Sequence, residues 1–129
     1  MTKPSASSKK GLKVLVIEDE KPLAHALELK LKHEGFEPTV ALSGTEGMKE
    51  ALTGQYGLIL LDIIMPEIDG FAVLQALKDK KVKTPVLVLS NLGQDEDREK
   101  AKGLGARDYL VKADTPILEI LKRVKTVLS

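Results

Sequence analysis

From Leu12 onward the chain alternates between two hydrophobic rhythms. "LKVLVIE" (12–18), "GLILLD" (57–62), "PVLVLS" (85–90) and "RDYLV" (107–111) are short, nearly continuous runs of aliphatic and β-branched residues. Such runs suit strands buried on both faces, as in a parallel sheet. "FEPTVAL" (36–42) is a weaker strand, and Pro38, which cannot donate to a ladder, places it at an edge. The stretches between carry helical spacing. Residues 22–34 start on Pro22, suited to a first helical turn, and set Leu23, Leu27 and Leu31 four apart. Ser43 and Glu46 in "SGTE" make a capping-box pattern that predicts a helix through about Leu52. Asp69 is the expected N-cap of a helix over 70–79 with Phe71, Leu74 and Leu77 on one face. Helices over 94–104 and 116–128 follow, the last striped by Ile117, Ile120, Leu121, Val124 and Leu128.

Strands joined through helices cannot be hairpins. Parallel pairing with right-handed crossovers follows, so the expected fold is α/β: a doubly wound, five-stranded parallel sheet with five helices on both faces. No internal repeat or linker divides the chain, which stops as the fifth helix ends. One domain over 12–129, with no output module, is therefore expected. "MTKPSASSKKG" (1–11), made of Lys, Ser and Pro, reads as a flexible N-terminal tail.

Composition narrows the function classes. At 129 residues, 43% apolar and 30% charged, the chain has the balance of a soluble domain, and 3% aromatics make its core aliphatic. A net charge of +1 offers no field for nucleic acid or an anionic membrane. Two Phe, two Tyr and no Trp leave little for stacking on bases. The absence of cysteine excludes a disulfide framework, a thiol nucleophile and cysteine zinc sites, and fits a reducing cytoplasm. No apolar run approaches the roughly 20 residues that span a bilayer, and the tail lacks the core of a secretory signal. Neither nucleic acid nor membrane is an expected partner, and a cytoplasmic location is expected.

In open α/β sheets the functional crevice lies beyond the carboxyl ends of the strands. The first run ends on Glu18-Asp19-Glu20, the third on Asp62, the fourth on Ser90 and the fifth on Lys112. Singly, each has an ordinary explanation. Acids after a strand cap the next helix, which is all that is expected of Glu20. Ser90 suits a turn, Lys112 a solvated surface, and Asp62 the turn before Pro66. Their gathering at one edge is what points to chemistry. Glu18, Asp19 and Asp62 would repel one another unless a cation intervenes. Mg²⁺, a hard ion that keeps waters and accepts phosphate oxygens, answers that need. Asp62 can then act as a nucleophile toward a phosphoryl group. Lys112 and the Ser90 hydroxyl would stabilise the charge on the transferred group.

Four ordered motifs, "VLVIEDE" (14–20), "LILLDIIMPEIDG" (58–70), "PVLVLS" (85–90) and "GARDYLVK" (105–112), carry a resemblance over about residues 12–128. The chain resembles the response-regulator receiver domains of two-component signalling, including the single-domain chemotaxis type. The resemblance implies a flavodoxin-like strand order 2-1-3-4-5 and Asp62 as phosphoacceptor. It implies Asp19, Asp62 and the backbone carbonyl of Ile64 as Mg²⁺ ligands, with Glu18 acting through a metal-bound water. Ser90 and Lys112 would contact the phosphoryl group. Tyr109 would be the switch aromatic, its ring turning inward as Ser90 moves. "MPEIDG" would shape the mouth, Pro66 stiffening the turn and Gly70 letting it bend. A histidine kinase or phosphotransfer protein would donate the phosphoryl group. A downstream protein would read the face made by the fourth helix, fifth strand and fifth helix. Such a module assists its own phosphorylation and dephosphorylation but turns over no external substrate.

Two departures stand out. The family usually has proline after the lysine, often with a cis bond, whereas this chain reads Lys112-Ala113. A cis bond to alanine costs about 3–4 kcal/mol, so either strain is stored there or the loop runs differently. Asn91 follows Ser90 where the family commonly has a small residue, and its side chain could slow or redirect water attack on a phosphoaspartate. "SNLGQDEDREKAKGLG" (90–105) offers chiefly Leu92, Ala101 and Leu104 for burial, which predicts a helix of low local stability. Competing readings are a phosphorelay intermediate, a metal-dependent phosphatase with an Asp nucleophile, and a flavodoxin-like nucleotide or flavin binder. The phosphatases usually place a second Asp two residues after the nucleophile, where Ile64 stands. The nucleotide binder would want a Gly- or hydroxyl-rich loop where Glu18-Asp19-Glu20 stands.

Overall fold

The structure, a computed structural model, describes residues 11–129. The tail expected over 1–11 therefore lies, apart from Gly11, outside the described residues. The elements alternate along the chain as β1 (Lys13–Ile17), α1 (Lys21–His33), β2 (Glu37–Ala41), α2 (Gly44–Ala51), β3 (Leu58–Leu61) and α3 (Gly70–Asp79). They continue as β4 (Val86–Ser90), α4 (Asp95–Gly103), β5 (Asp108–Val111) and α5 (Ile117–Leu128). All strand pairs are parallel, in the order β2-β1-β3-β4-β5. This is the expected flavodoxin-like order, with the Pro38 strand at an edge.

The period-two alternation of the strands sorts their side chains onto two cores. Val14, Val16, Leu58, Leu60, Leu87 and Leu89 pack on one face with Leu27 and Leu31 of α1 and Ile120, Leu121 and Val124 of α5. Leu15, Ile17, Ile59, Leu61, Val86 and Val88 face the other way, onto α2, α3 and α4 through Ala51, Leu74, Leu77 and Ala101. Burying each Leu or Ile contributes roughly 1.5–3 kcal/mol, so the central strands anchor the domain. All four residues of β3 are buried. That is why the "LILL" run reads as unbroken rather than alternating.

Local chemistry sets the helix starts. The Ser43 hydroxyl accepts from the Glu46 amide at 3.1 Å, and Glu46 accepts from the Leu42 amide at 3.2 Å, a reciprocal cap shifted by one residue. Asp69 accepts from the Ala72 amide at 2.9 Å, as expected. In the turn before α3, the left-handed residue is Glu67 (φ 70°), not Gly70. Gly70 serves close approach instead: a Cβ there would sit 2.5 Å from the backbone oxygen of Asp62. The expectation that Gly70 supplies the bend is corrected accordingly.

The α4 helix buries a single residue, Ala101, whereas α1 buries Ala24, Leu27 and Leu31. Little apolar area holds α4 to the sheet, so its opening free energy is low. Amide hydrogen exchange should show α4 exchanging at least about tenfold faster than the buried turn of α1. Equal protection in the two helices would refute this difference.

Candidate functional site

Among the described residues, three polar or charged side chains are buried: Glu18, Asp62 and Ser90. All three stand where a strand of the sheet's centre runs out at its carboxyl end. The ladder still holds their backbones, because the Glu18 amide donates to Ala41 O at 3.0 Å and the Asp62 amide to Ile17 O at 3.0 Å. A carboxylate at such a point is rigid without being sealed in.

Lys112, immediately after β5, supplies the opposing charge. Its Nζ donates to Asp62 Oδ2 at 3.0 Å, to Glu18 Oε2 at 3.1 Å and to Glu20 Oε2 at 2.8 Å, with Glu18 Oε1 at 2.9 Å. β5 does not touch β3, since β4 lies between them. The lysine stem must therefore cross the end of β4, where Ser90 stands, over roughly two strand spacings of about 4.8 Å each. A small residue at that crossing leaves it room.

Burial and charge set the protonation of the group. Burial pushes the Glu18 carboxyl up from its ordinary 4.5 to about 7, against the hydrogen bonds from Lys112 and the Glu20 amide. Burial likewise raises Asp62; Lys112 opposes the shift and nearby Asp19 adds to it. For Lys112, burial works to lower the pKa, but hydrogen bonds to Glu20, Glu18 and Asp62 outweigh it and raise the pKa. One ammonium is thus shared among more carboxylate charge than it can neutralise.

Carboxylate oxygens of Glu18, Glu20 and Asp62 lie within 4.8 Å of one another, a spacing that could hold a metal ion. Glu20 and Asp62 border a cleft of about 220 Å³ that is also lined by Asp19, Ile64, Asn91 and Lys112. The donors are hard oxygens and already draw a cation among them, which fits a hard divalent ion such as Mg²⁺. The sequence places Asp19 in the tight cluster and leaves Glu20 to cap α1. The structure keeps Asp19 at the cleft and brings Glu20 into the cluster as well. Glu20 holds the N-cap position but makes no side-chain cap. Its amide donates to Glu18 Oε2 at 3.0 Å, and its carboxylate turns back to Lys112. Asp19 lines the cleft without joining the tightest trio. The run of three acids was the available clue, and the competing cap reading obscured it.

The remaining candidates also fall near this mouth. Ile64 lines the cleft, and its amide donates to Asp62 Oδ1 at 3.3 Å. Ser90 makes no hydrogen bond to Asp62 among the described residues; its hydroxyl accepts from the Leu92 amide at 3.2 Å. Tyr109 is buried, and its hydroxyl donates to Leu92 O at 2.6 Å. Burial raises its pKa. Arg98, not singled out from the sequence, stacks 5.2 Å from the Tyr109 ring centre and donates to the Tyr109 carbonyl at 3.3 Å. No described peptide bond is cis. The chain instead runs from Lys112 into a short 3-10 turn ending at Asp114, and the Thr115 hydroxyl donates to Val111 O at 2.7 Å. Of the two courses open to the loop, it takes the different path.

A raised carboxyl pKa has a definite sign in stability. Folded Glu18 holds its proton up to about pH 7, while the unfolded carboxyl releases it near 4.5. The contribution is full below 4.5 and lost as pH rises through 7. In EDTA, unfolding free energy should fall across that window by an amount on the order of a few kcal/mol, and Glu18→Gln should remove this part. Parallel pH profiles for the two proteins in urea unfolding would contradict it.

Comparison with known proteins agrees with the architecture. Residues 14–125 match the response regulator receiver domain family. Transcriptional regulatory protein CusR of Escherichia coli K12 is 40% identical over 117 residues, covering 91% of this chain and 51% of that protein. Transcriptional regulatory protein YkoG of Bacillus subtilis is 36% identical over 115 residues, covering 89% of this chain and 50% of that protein. The chain thus spans about half the length of the curated relatives it matches. The solved receiver domain of the Francisella response regulator 1452 superposes with a TM-score of 0.85 at 34% identity, covering 92% of this chain and 97% of that one. On the matched residues, the strand order and the acidic mouth, the chain belongs to the response regulator receiver domain family of two-component systems.

Proposed function

We propose that Asp62 is the acceptor of a phosphoryl group carried by a phosphohistidine on a histidine kinase or phosphotransfer protein. The observation that carries this reading is the Lys112 ammonium 3.0 Å from a buried carboxylate that ends a central strand. A carboxylate oxygen of Asp62 attacks phosphorus as the bond to the donor imidazole nitrogen breaks, and the imidazole leaves with the electron pair. Lys112 faces the charge on the phosphoryl oxygens, and the Ser90 hydroxyl supplies a hydrogen bond to them. Asp19, Asp62 and the Ile64 carbonyl would hold Mg²⁺, with Glu18 acting through a water and Glu20 close enough to add an oxygen. The ion supplies positive charge where the phosphoryl oxygens gather. Asn91, on the cleft wall, governs how water reaches the product.

The consequence travels through Leu92. Its amide binds Ser90 and its carbonyl holds the Tyr109 hydroxyl. A Ser90 hydroxyl drawn to a phosphoryl group releases the first contact and frees the second to rearrange. The sparsely buried α4 is then the element whose population shifts, and the α4–β5–α5 face presents the change to a downstream protein. Within this reading the chain assists its own phosphorylation and dephosphorylation and acts on no external substrate. A cleft of about 220 Å³ is small for an enzyme's substrate pocket. Cytoplasmic residence belongs to the same reading, and no described helix is long and apolar enough to cross a membrane. The same applies to the expectation that these residues contact proteins rather than nucleic acid, although the relatives are transcriptional regulators of about twice the length.

Incubation with acetyl phosphate and Mg²⁺ should add one phosphoryl group, read by intact mass. Asp62→Asn, or excess EDTA, should abolish the addition. Uptake that persists in Asp62→Asn requires another acceptor and ends this reading; uptake in EDTA removes the metal from it.

A further inference from the structure

The pole opposite the acidic mouth, at the amino ends of β4 and β5, has the reverse character. There the end of α3, the 80–85 loop and the turn between α4 and β5 enclose a cleft of about 290 Å³. Lys78, Lys83, Lys102 and Arg107 line it, and no Asp or Glu does. None of the four forms an ion pair among the described residues, whereas Lys112, Arg123 and Lys125 each meet a carboxylate. Most described lysines and arginines are likewise free of ion pairs; what sets these four apart is that they border one concavity that no carboxylate borders. Like charges around one concavity repel, and an anion with charge spread over several oxygens relieves that repulsion.

The cleft has the remaining parts of a small-molecule site. Lys78 Nζ donates to Gly103 O at 3.2 Å, tying the α3 and α4 walls together. Leu77, Val82 and Leu104 form an apolar floor continuous with the core. The backbone N–H groups of Lys83 and Thr84 donate to no other described residue. The shape is concave and close to the small end of ligand pockets, about 300 Å³. Nucleic acid would want an extended stripe with aromatic platforms, and no aromatic residue lines this cleft.

We propose that this cleft binds a small phosphate-class anion against Lys78, Lys83, Lys102 and Arg107. It shares no residue with the acidic mouth, so it stands or falls separately from phosphorylation at Asp62. Sodium pyrophosphate titrated into the ¹⁵N-labelled chain in metal-free buffer is the test. Saturable amide shifts are expected at Val82, Gly103, Leu104 and Gly105, weakening as salt is raised. The double variant Lys83→Gln/Arg107→Gln should bind at least about tenfold more weakly while its Mg²⁺-dependent labelling by acetyl phosphate is unchanged. Shifts that never saturate, or that centre on Asn91 and Ala113, would overturn the site. So would equal affinity in the double variant. Duplex DNA that displaces pyrophosphate and spreads the shifts to Lys80 and Lys81 would replace the site with a nucleic-acid surface.

Discussion

Two carboxyl groups are buried at the end of an aliphatic sheet, and a single ammonium holds them in place. Taking such charges out of water costs several kcal/mol each, and losing the partner of a buried pair is more damaging than the pair is stabilising. Glu18 and Asp62 therefore exert a standing demand for positive charge, met here by Lys112. The demand is incompletely met, as the raised pKa of Glu18 indicates. A mouth built this way attracts cations without any change in the backbone.

The same mouth is wired to a weakly held surface. Ser90 sits on a rigid, buried strand, but Leu92 beyond it contacts both Ser90 and Tyr109. Arg98 on α4 then stacks on Tyr109. Packed cores resist continuous deformation, so small shifts at such a chain of contacts act by moving an element between discrete positions. With one buried residue, α4 is the element least committed to its place. Burial is concentrated on the central strands and sparse on α4.

A near-neutral chain can still be strongly polarised. The net charge of +1 averages an acidic pole at the carboxyl ends of the strands and a basic cleft at their amino ends. The composition argument against anionic partners concerns the whole surface and says nothing of the sign of charge in any one concave part. Fields act locally within about a Debye length, so the arrangement of charge outweighs its sum.

Much of the fold was legible because it rests on local periodicity. Unbroken aliphatic runs marked the doubly buried strands, Pro38 marked an edge, and Ser43 and Asp69 marked helix starts. The strand ends named the mouth, since a buried run closing on Glu18, Asp62, Ser90 or Lys112 leaves a polar group at a fixed height in the sheet. What the chain order could not state was which charge meets which. Glu20 looked like a cap because the helix follows it, yet Lys112, 92 residues away, competes for its carboxylate and wins. Gly70 looked like a hinge, but close packing against Asp62 decides its identity. The pairing of Arg98 with Tyr109 and the gathering of Lys78, Lys83, Lys102 and Arg107 likewise depend on crossovers that join distant segments. Hydrophobic periodicity is a property of neighbours in the chain; charge pairing is a property of neighbours in space, and only the folded sheet supplies those.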